Sequence, residues 1–85
     1  MSKYVLRIHN ADGIKMLVEI VSHSDCDVNL SNGRGVVDAK SLLGAMSLDH
    51  SIPLTLEVIG SSQDEKELIE RLSERLGKEA LAPCM

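Results

Sequence analysis

The sequence predicts an α+β fold in which helices cover one face of a β-sheet, as in an open-faced sandwich. Segments whose apolar residues recur at every second position, as in half-buried strands, alternate with segments of helical spacing. The predicted order is strand, helix, strand, strand, helix, strand, helix. Elements in this order pack as a helical layer on a sheet. Periodicity alone leaves the order and direction of the strands open.

The first two predicted elements are a strand and a short amphipathic helix. The strand covers residues 3–9, where the apolar residues at even positions from Tyr4 to Ile8 share one side. Turn-forming residues follow the strand. Apolar residues then recur at helical spacing over about residues 12–23, and Asp12 is the candidate cap of this helix.

The second and third strands are predicted to form a hairpin. From Asp25 the spacing returns to two. The apolar face of this strand has three members: Cys26, Val28 and Leu30. Residues 31–35 contain Asn and Gly, which tolerate the positive φ angles of tight turns. The return strand begins at Val36.

A second short helix and a fourth strand follow the hairpin. Either Asp38 or Ser41 can cap the helix. Four apolar residues lie along this helix: Leu42, Leu43, Met46 and Leu48. Alternating apolar residues from Leu54 to Val58 predict the fourth strand, and Gly60 ends it.

The last predicted element is the longest helix. Ser62 and Glu65 fit a capping box, in which each side chain satisfies a backbone donor of the other residue. Four residues form the buried stripe of the helix: Leu68, Ile69, Leu72 and Leu76. Gly77 is placed to end it, and the residues after it, through Met85, are expected to be frayed.

The composition limits the function classes that this chain can serve. Its 85 residues are 44% hydrophobic, with one Tyr, no Phe and no Trp, so we expect a single domain over residues 1–85 with an aliphatic core. The formal charge is −4 and the basic residues are not clustered, which argues against nucleic acid as a direct partner.

No apolar run approaches the roughly 18 residues of a membrane span. The start of the chain lacks the features of a secretory signal, and we therefore expect a cytoplasmic protein.

Residues that could support catalysis or metal binding do not form recognisable sets. His23 and Cys26 have ligand-like spacing, but no second pair follows them, and Cys84 lies far away near the end of the sequence. Asp25 and Asp27 lie on the predicted solvent side of their strand, without a basic partner in the sequence. We therefore expect neither a metal site nor a cofactor.

The run from Asp38 to Leu48 carries a resemblance to a known family. It reads Asp-Ala-Lys-Ser-Leu-Leu-Gly-Ala-Met-Ser-Leu and resembles the second-helix region of HPr, the small phosphocarrier of the bacterial sugar phosphotransferase system. In that family, Ala-Lys-Ser followed by two apolar residues and Gly carries a regulatory serine. The resemblance extends over most of the chain and implies an HPr-like fold, with a four-stranded antiparallel sheet in the order βαββαβα.

The other signature of the family is missing from this sequence. The family carries Gly-Leu-His-x-Arg-Pro-Ala near the N-terminus, with the catalytic histidine, but here Gly13-Ile14 is followed by Lys15-Met16-Leu17. The interval from Gly13 to Ser41 is also shorter than in the family. The family's catalytic histidine and arginine are therefore absent. The resemblance implies a protein that is not an enzyme and does not relay phosphate by the usual route.

The resemblance assigns regulatory phosphorylation to Ser41 and partner binding to its neighbours. A serine in the first turn of a helix lies near unpaired amides that can accommodate a phosphate, although the same serine can be only a cap. Lys40, Leu42, Leu43 and Met46 occupy the positions of an exposed docking patch in HPr-like proteins. Some of these apolar side chains must pack inward, and we expect one or two of the three to be exposed.

Three functions remain open at this stage. The favoured one is a regulator of sugar transport and catabolite repression whose partners are an HPr kinase/phosphorylase and a catabolite regulator. The second is a phosphocarrier with a non-standard acceptor, His9 or Lys15. The third is a scaffold that binds partners through the open side of its sheet or by self-association. The sequence leaves the partner's identity and the oligomeric state undetermined.

Overall fold

The computed structural model describes residues 2–8, 10–33, 35–48 and 52–83, and these residues form five strands and three helices. The elements are β1 Ser2–Leu6, α1 Ala11–Ser22, β2 Asp27–Ser31, β3 Val36–Asp38, α2 Leu42–Ser47, β4 Leu54–Ile59, α3 Ser62–Leu76 and β5 Leu81–Pro83.

The strands form one antiparallel sheet in the order β3-β2-β4-β1-β5. The central strand, β4, pairs with β1 on one side and with β2 on the other. The predicted α+β class, with an antiparallel sheet and three helices, is confirmed. The prediction of four strands is wrong, because the described part of the chain forms five.

The core lies between the helices and one face of the sheet. Alternate residues of β2 and β4 are fully or almost fully buried: Val28, Leu30, Leu54, Leu56 and Val58. The stripes of the long helices supply the other side of the core: Ile14, Leu17, Val21, Leu68 and Leu72. Each such side chain contributes about 1.5–3 kcal/mol on burial. The core is aliphatic, as the composition predicts.

The start of α1 differs from the prediction. Asn10, rather than Asp12, is the N-cap, and its Oδ1 accepts a hydrogen bond from the Gly13 amide at 2.7 Å. Asn10 has the extended backbone that a cap requires, whereas Asp12 already lies within the first turn. The preceding strand also ends sooner than predicted, at Leu6, and His9 lies outside the described residues.

The start of α3 differs by one residue. Ser61, not Ser62, is the N-cap, and its Oγ accepts a hydrogen bond from the Asp64 amide at 3.1 Å. The predicted capping box is therefore wrong, because Glu65 instead accepts a hydrogen bond from the Tyr4 hydroxyl at 3.0 Å. Burial and this hydrogen bond raise the pKa of Tyr4 above its ordinary value. Gly77 ends the helix with a φ of 96°, as predicted.

The buried thiol of Cys26, just before β2, explains the glycine that follows β4. Cys26 is fully buried, as its predicted strand face requires. A Cβ at Gly60 would lie 2.8 Å from the Cys26 Sγ, which is closer than such atoms approach. The position after β4 therefore needs glycine so that Cys26 can pack into the core.

The end of the described chain forms a strand where the sequence predicts fraying. β5 pairs with β1, with Leu81 opposite Leu6, and Leu81 is only 8% exposed. The pairing covers the edge that β1 would otherwise present. This contact joins residues about 75 positions apart, and local periodicity carries no information on such a pairing.

The described residues include no helix that is both long enough and apolar enough to cross a bilayer.

Replacing Leu81 with Ala is expected to lower the free energy of unfolding by about 2–4 kcal/mol, because it removes a buried side chain and leaves a cavity. Urea denaturation followed by circular dichroism measures this change. Leu43→Ala is the matched control: Leu43 is 86% exposed, so its truncation should change stability by less than about 0.5 kcal/mol. Equal stability changes in the two variants would contradict the docking of β5.

Candidate functional site

The loop that leads into α2 is tied to the sheet by backbone hydrogen bonds. The amide of Ala39, which is fully buried, donates to the Val28 carbonyl at 2.8 Å. The carboxylate of Asp38 accepts from the Lys40 amide at 2.8 Å, and the Asp38 carbonyl accepts from the Ser41 amide at 3.0 Å. These bonds hold Ser41 at a defined position above the end of β3.

Ser41 is the N-cap of α2 and is exposed. Of the two predicted caps, the structure selects Ser41 over Asp38, and the Ser41 Oγ accepts a hydrogen bond from the Gly44 amide at 3.2 Å. A Cβ at Gly44 would lie 3.3 Å from that Oγ and 3.4 Å from the Cβ of Val37. Glycine therefore lets the first turn approach both the hydroxyl and the sheet. The hydroxyl is bound within its own helix, and the residue as a whole is exposed.

The predicted docking patch divides into exposed and packed members. Leu43 is 86% exposed and Leu42 is 44% exposed. Met46 is half-buried and packs against the core, beside the fully buried Ala45. The expectation that one or two of the three apolar candidates are exposed is confirmed.

Lys40 is exposed and reaches from the loop before α2 to the end of α1. Its Nζ donates to the carbonyl of Ser24 at 3.3 Å. The last turn of α1 has no basic residue of its own, so Lys40 brings a positive charge to the negative end of that helix dipole. Lys40, Ser41 and the exposed leucines are consecutive in the chain, but the ammonium group of Lys40 is directed to the end of α1.

The start of α1 is the place where the family resemblance leads us to look for an imidazole followed two residues later by an arginine. Here Asn10 is the cap, and the residue two positions further is the acidic Asp12. A Cβ at Gly13 would lie 2.5 Å from the Cγ2 of Ile8, so the side chain of Ile8 occupies the space beside this turn. The sequence analysis did not identify Asn10 as the cap. The pattern that could have identified it is an Asn three residues before the amide that it binds, that of Gly13.

His23, the histidine within the described residues, does not supply an equivalent site. It follows the opposite end of α1, roughly 20 Å from Asn10 along the helix axis, and its Nδ1 bonds to the Glu19 carbonyl at 2.8 Å. His50 lies outside the described residues. Lys15 is exposed on the second turn of α1.

A cavity of about 330 Å³ between α1 and α3 was not predicted from the sequence. It is lined by three basic or titratable nitrogen groups and two carboxylates around one apolar residue: His23, Arg71, Arg75, Glu19, Glu74 and Ile20. Opposite charges are mixed in its wall, so it selects neither anions nor cations. Sequence periodicity assigns these residues to two solvated helix faces and does not show that the faces meet.

Potential metal ligands are dispersed in the parts of the chain that the structure describes. Residues 2–8, 10–33, 35–48 and 52–83 contain no group of three or more His, Cys, Asp or Glu side chains that could hold an ion. The Cys26 thiol is fully buried, and Cys84 lies outside the described residues.

Comparisons with known proteins agree on one family. The model of the PTS HPr component phosphorylation site matches residues 7–77. The crystal structure of selenomethionyl Crh, a catabolite repression protein of Bacillus subtilis, is similar to this chain with a TM-score of 0.63 and 28% sequence identity. The match covers 88% of this chain and 86% of Crh, and that structure is described as an intertwined dimer formed by domain swapping.

Proposed function

The chain belongs to the HPr family of the bacterial phosphotransferase system, and we propose that it is a regulatory docking protein that does not relay phosphate and is switched by phosphorylation of Ser41. The observation that carries the proposal is that Ser41 and Leu43, two residues apart at the start of α2, are both exposed. A modifiable residue and an apolar side chain are thereby presented at the same end of α2.

The surroundings of Ser41 support its use as a phosphate acceptor. In the proposed step, the Ser41 Oγ attacks the γ-phosphorus of ATP; an O–P bond forms, ADP leaves, and a base of the kinase takes the hydroxyl proton. The product places a charge of about −1.5 to −2 near the amides of the first turn of α2. The ammonium group of the adjacent Lys40 bonds to the Ser24 carbonyl and would have to leave it to contact the phosphate. Asp38 opposes the charge, but its carboxylate is bound to the Lys40 amide.

The exposed leucines of α2 support docking of a protein partner. Burying the side chain of Leu43 in a partner's pocket removes apolar surface from water and contributes about 1.5–3 kcal/mol. Leu42 enlarges this contact, while Met46 is already half-buried and fixes the helix on the core. The phosphate on Ser41 would then decide which partner accepts the surface, because it lies within the same contact area.

The start of α1 supports the loss of phosphate relay. A phosphocarrier needs a nucleophilic nitrogen whose phosphorylated form is stabilised by a cation. The amide of Asn10 is not such a nucleophile, and the carboxylate of Asp12 repels a phosphoryl group. The alternative carrier would use His9, which precedes Asn10 in the sequence.

The proposed partners are an HPr kinase/phosphorylase and a regulator of catabolite genes. The likeness to Crh, which is described as a catabolite repression protein, supports this choice. We place the function in the cytoplasm, where ATP and these partners are available, and assign it to residues 1–85 as one domain.

Incubation with an HPr kinase/phosphorylase and ATP is expected to add one phosphate, at Ser41, as measured by intact mass and fragment spectra. Ser41→Asn should prevent the modification while keeping a side chain that caps the helix. Ser47→Ala is the matched control at the other end of α2, where the Ser47 Oγ donates to the Gly44 carbonyl at 2.6 Å. An unchanged mass of the parent protein, or equal phosphorylation of the Ser41→Asn variant, would refute the proposed switch.

Leu43→Asp is expected to reduce kcat/KM for phosphorylation by the kinase about tenfold, because the substitution removes an apolar contact and adds a charge at the docking surface. Steady-state kinetics measures this change, and urea denaturation should show an unchanged free energy of unfolding because Leu43 is exposed. Ile59→Asp, on the opposite face of the sheet, is the control and should keep the parent kinetics. Parent-like kinetics of Leu43→Asp would exclude Leu43 from the docking surface.

Incubation with phosphoenolpyruvate and active enzyme I is expected to leave the protein without acid-labile phosphate, because the start of α1 offers Asn10 and Asp12 in place of an imidazole and a guanidinium. Radiolabelled donor and a parallel HPr sample provide the measurement and its positive control. Label that appears on the parent but not on a His9→Ala variant would instead establish a carrier with a non-standard acceptor.

A further inference from the structure

The face of the sheet that the helices leave uncovered carries a self-complementary pattern, which we call the open face. Its first row crosses four neighbouring strands through residues that are paired in register: Val36, Ser31, Thr55 and Val5. Its second row is formed in the same way: Asp38, Asn29, Glu57 and Lys3. These side chains point away from the core because their neighbours along each strand face the helices.

Each row is complementary to itself when the order of the strands is reversed. The first row has a valine at both ends and a hydroxyl residue at both inner positions. The second row ends in an acid on β3 and a base on β1, with an amide and a carboxylate between them. A two-fold interface requires such a pattern, since every residue i that meets residue j is matched by j meeting i.

We propose that the open face is a docking surface for a second copy of this chain. A two-fold axis parallel to the strands, between β2 and β4, stacks the two sheets face to face and places β1 over β3 of the other copy. Val5 then meets Val36 of the other copy, and Lys3 meets Asp38. On the inner strands Thr55 faces Ser31.

The exposure of the open face agrees with this occupant. Val36 is 69% exposed although it is a β-branched residue in a strand, and it gains the most from being covered. Within one chain, the Glu57 Oε2 lies 4.0 Å from the Lys3 Nζ, and the Glu57 Oε1 accepts a hydrogen bond from the Asn29 Nδ2 at 3.4 Å. Asn29 of the second copy gives this carboxylate another donor across the interface.

A two-fold axis perpendicular to the strands would instead place each strand over the same strand of the second copy. Lys3 could then not meet Asp38.

The size of the surface places the dimer in the class of small interfaces. Four strands about 4.8 Å apart and roughly 17 Å long cover about 300–400 Å² on each copy. The total stays below the roughly 1,200 Å² of stable complexes, so the dimer is transient. The open face lies opposite the helical layer, so α2 and Ser41 are not covered by it.

The test is sedimentation velocity on the full chain from about 10 μM to about 1 mM, the range in which such small interfaces dissociate. The sedimentation coefficient is expected to rise with concentration. Val36→Asp should weaken association at least about tenfold, since it sets a carboxylate against Val5 of the other copy. Leu43→Asp, the same kind of change at an exposed position on α2, should leave association unchanged.

A charge exchange makes the test specific. Lys3→Glu and Asp38→Lys should each weaken association several-fold, and the double variant should restore it. Within one chain these residues lie three strand spacings apart, roughly 14 Å, so they cannot rescue one another inside a monomer. Concentration-dependent amide shifts confined to β1–β4 supply a second readout that does not depend on the variants. Circular dichroism of each variant checks that it is folded.

Three outcomes would overturn the proposal. The parent chain could remain monomeric up to about 1 mM, the upper end of the range for such small surfaces. Association could be lost in Leu43→Asp and kept in Val36→Asp, which would place the contact on α2. A dimer could also persist on dilution, with an association that neither Val36→Asp nor the charge exchange changes. That result is expected for a domain-swapped dimer of the kind described for Crh.

Discussion

The alternation of side chains along β4 and its two neighbours is the constraint on which the other features of this molecule depend. The register places Leu56 of β4 between Leu30 and Tyr4 on the face that the helices cover. A shift of one residue would bring charged side chains such as Glu57 into the core and expose the leucines. The same register fixes which residues remain on the uncovered face, so the core and the open face are set together.

The position of Ser41 follows from that register. β3 pairs with β2 over only three residues, and the chain continues through a turn in which the Ala39 amide bonds to the Val28 carbonyl. Because Ala39 is buried, the turn cannot move outward without uncovering the core. The cap of α2 is therefore held by the sheet rather than by the six-residue helix, which is too short to be stable alone. A rigidly held hydroxyl suits recognition by a kinase.

The sequence was informative wherever the signal was local and periodic. The strand around Val28 and the helix end at Gly77 were predicted from spacing and cap chemistry, and helical crowding predicted that only one or two of Leu42, Leu43 and Met46 are exposed. The predictions at Asp12 and Ser62 were wrong because several residues near a helix start can serve as caps, and the backbone conformation decides among them. β5 was missed because a three-residue strand has too few alternations to be recognised.

The candidate site depended on resemblance more than on periodicity. Spacing identifies Ser41 only as one of two caps for α2, whereas the family signature singles it out for phosphorylation. Asn10 shows the opposite case: the sequence revealed that the family's histidine segment was missing, but not which residue had taken the capping role. That role depends on the path of the chain after β1, which is determined by tertiary packing of Ile8 against the first turn of α1.

Asp38 connects the two surfaces proposed for this protein. Its carbonyl and carboxylate accept from the amides of Ser41 and Lys40, while its position on β3 directs the same carboxylate to the uncovered side of the sheet. A phosphate on Ser41 would make the electrostatic potential around Asp38 more negative. The attraction between Asp38 and Lys3 of a second copy would then be stronger. Any such effect must be reciprocal, because binding at one surface can alter affinity at the other only through a shared coupling free energy. The coupling is expected to be small, since both groups are exposed and screened by salt. Regulation through α2 and self-association through the sheet are thus compatible in one small domain.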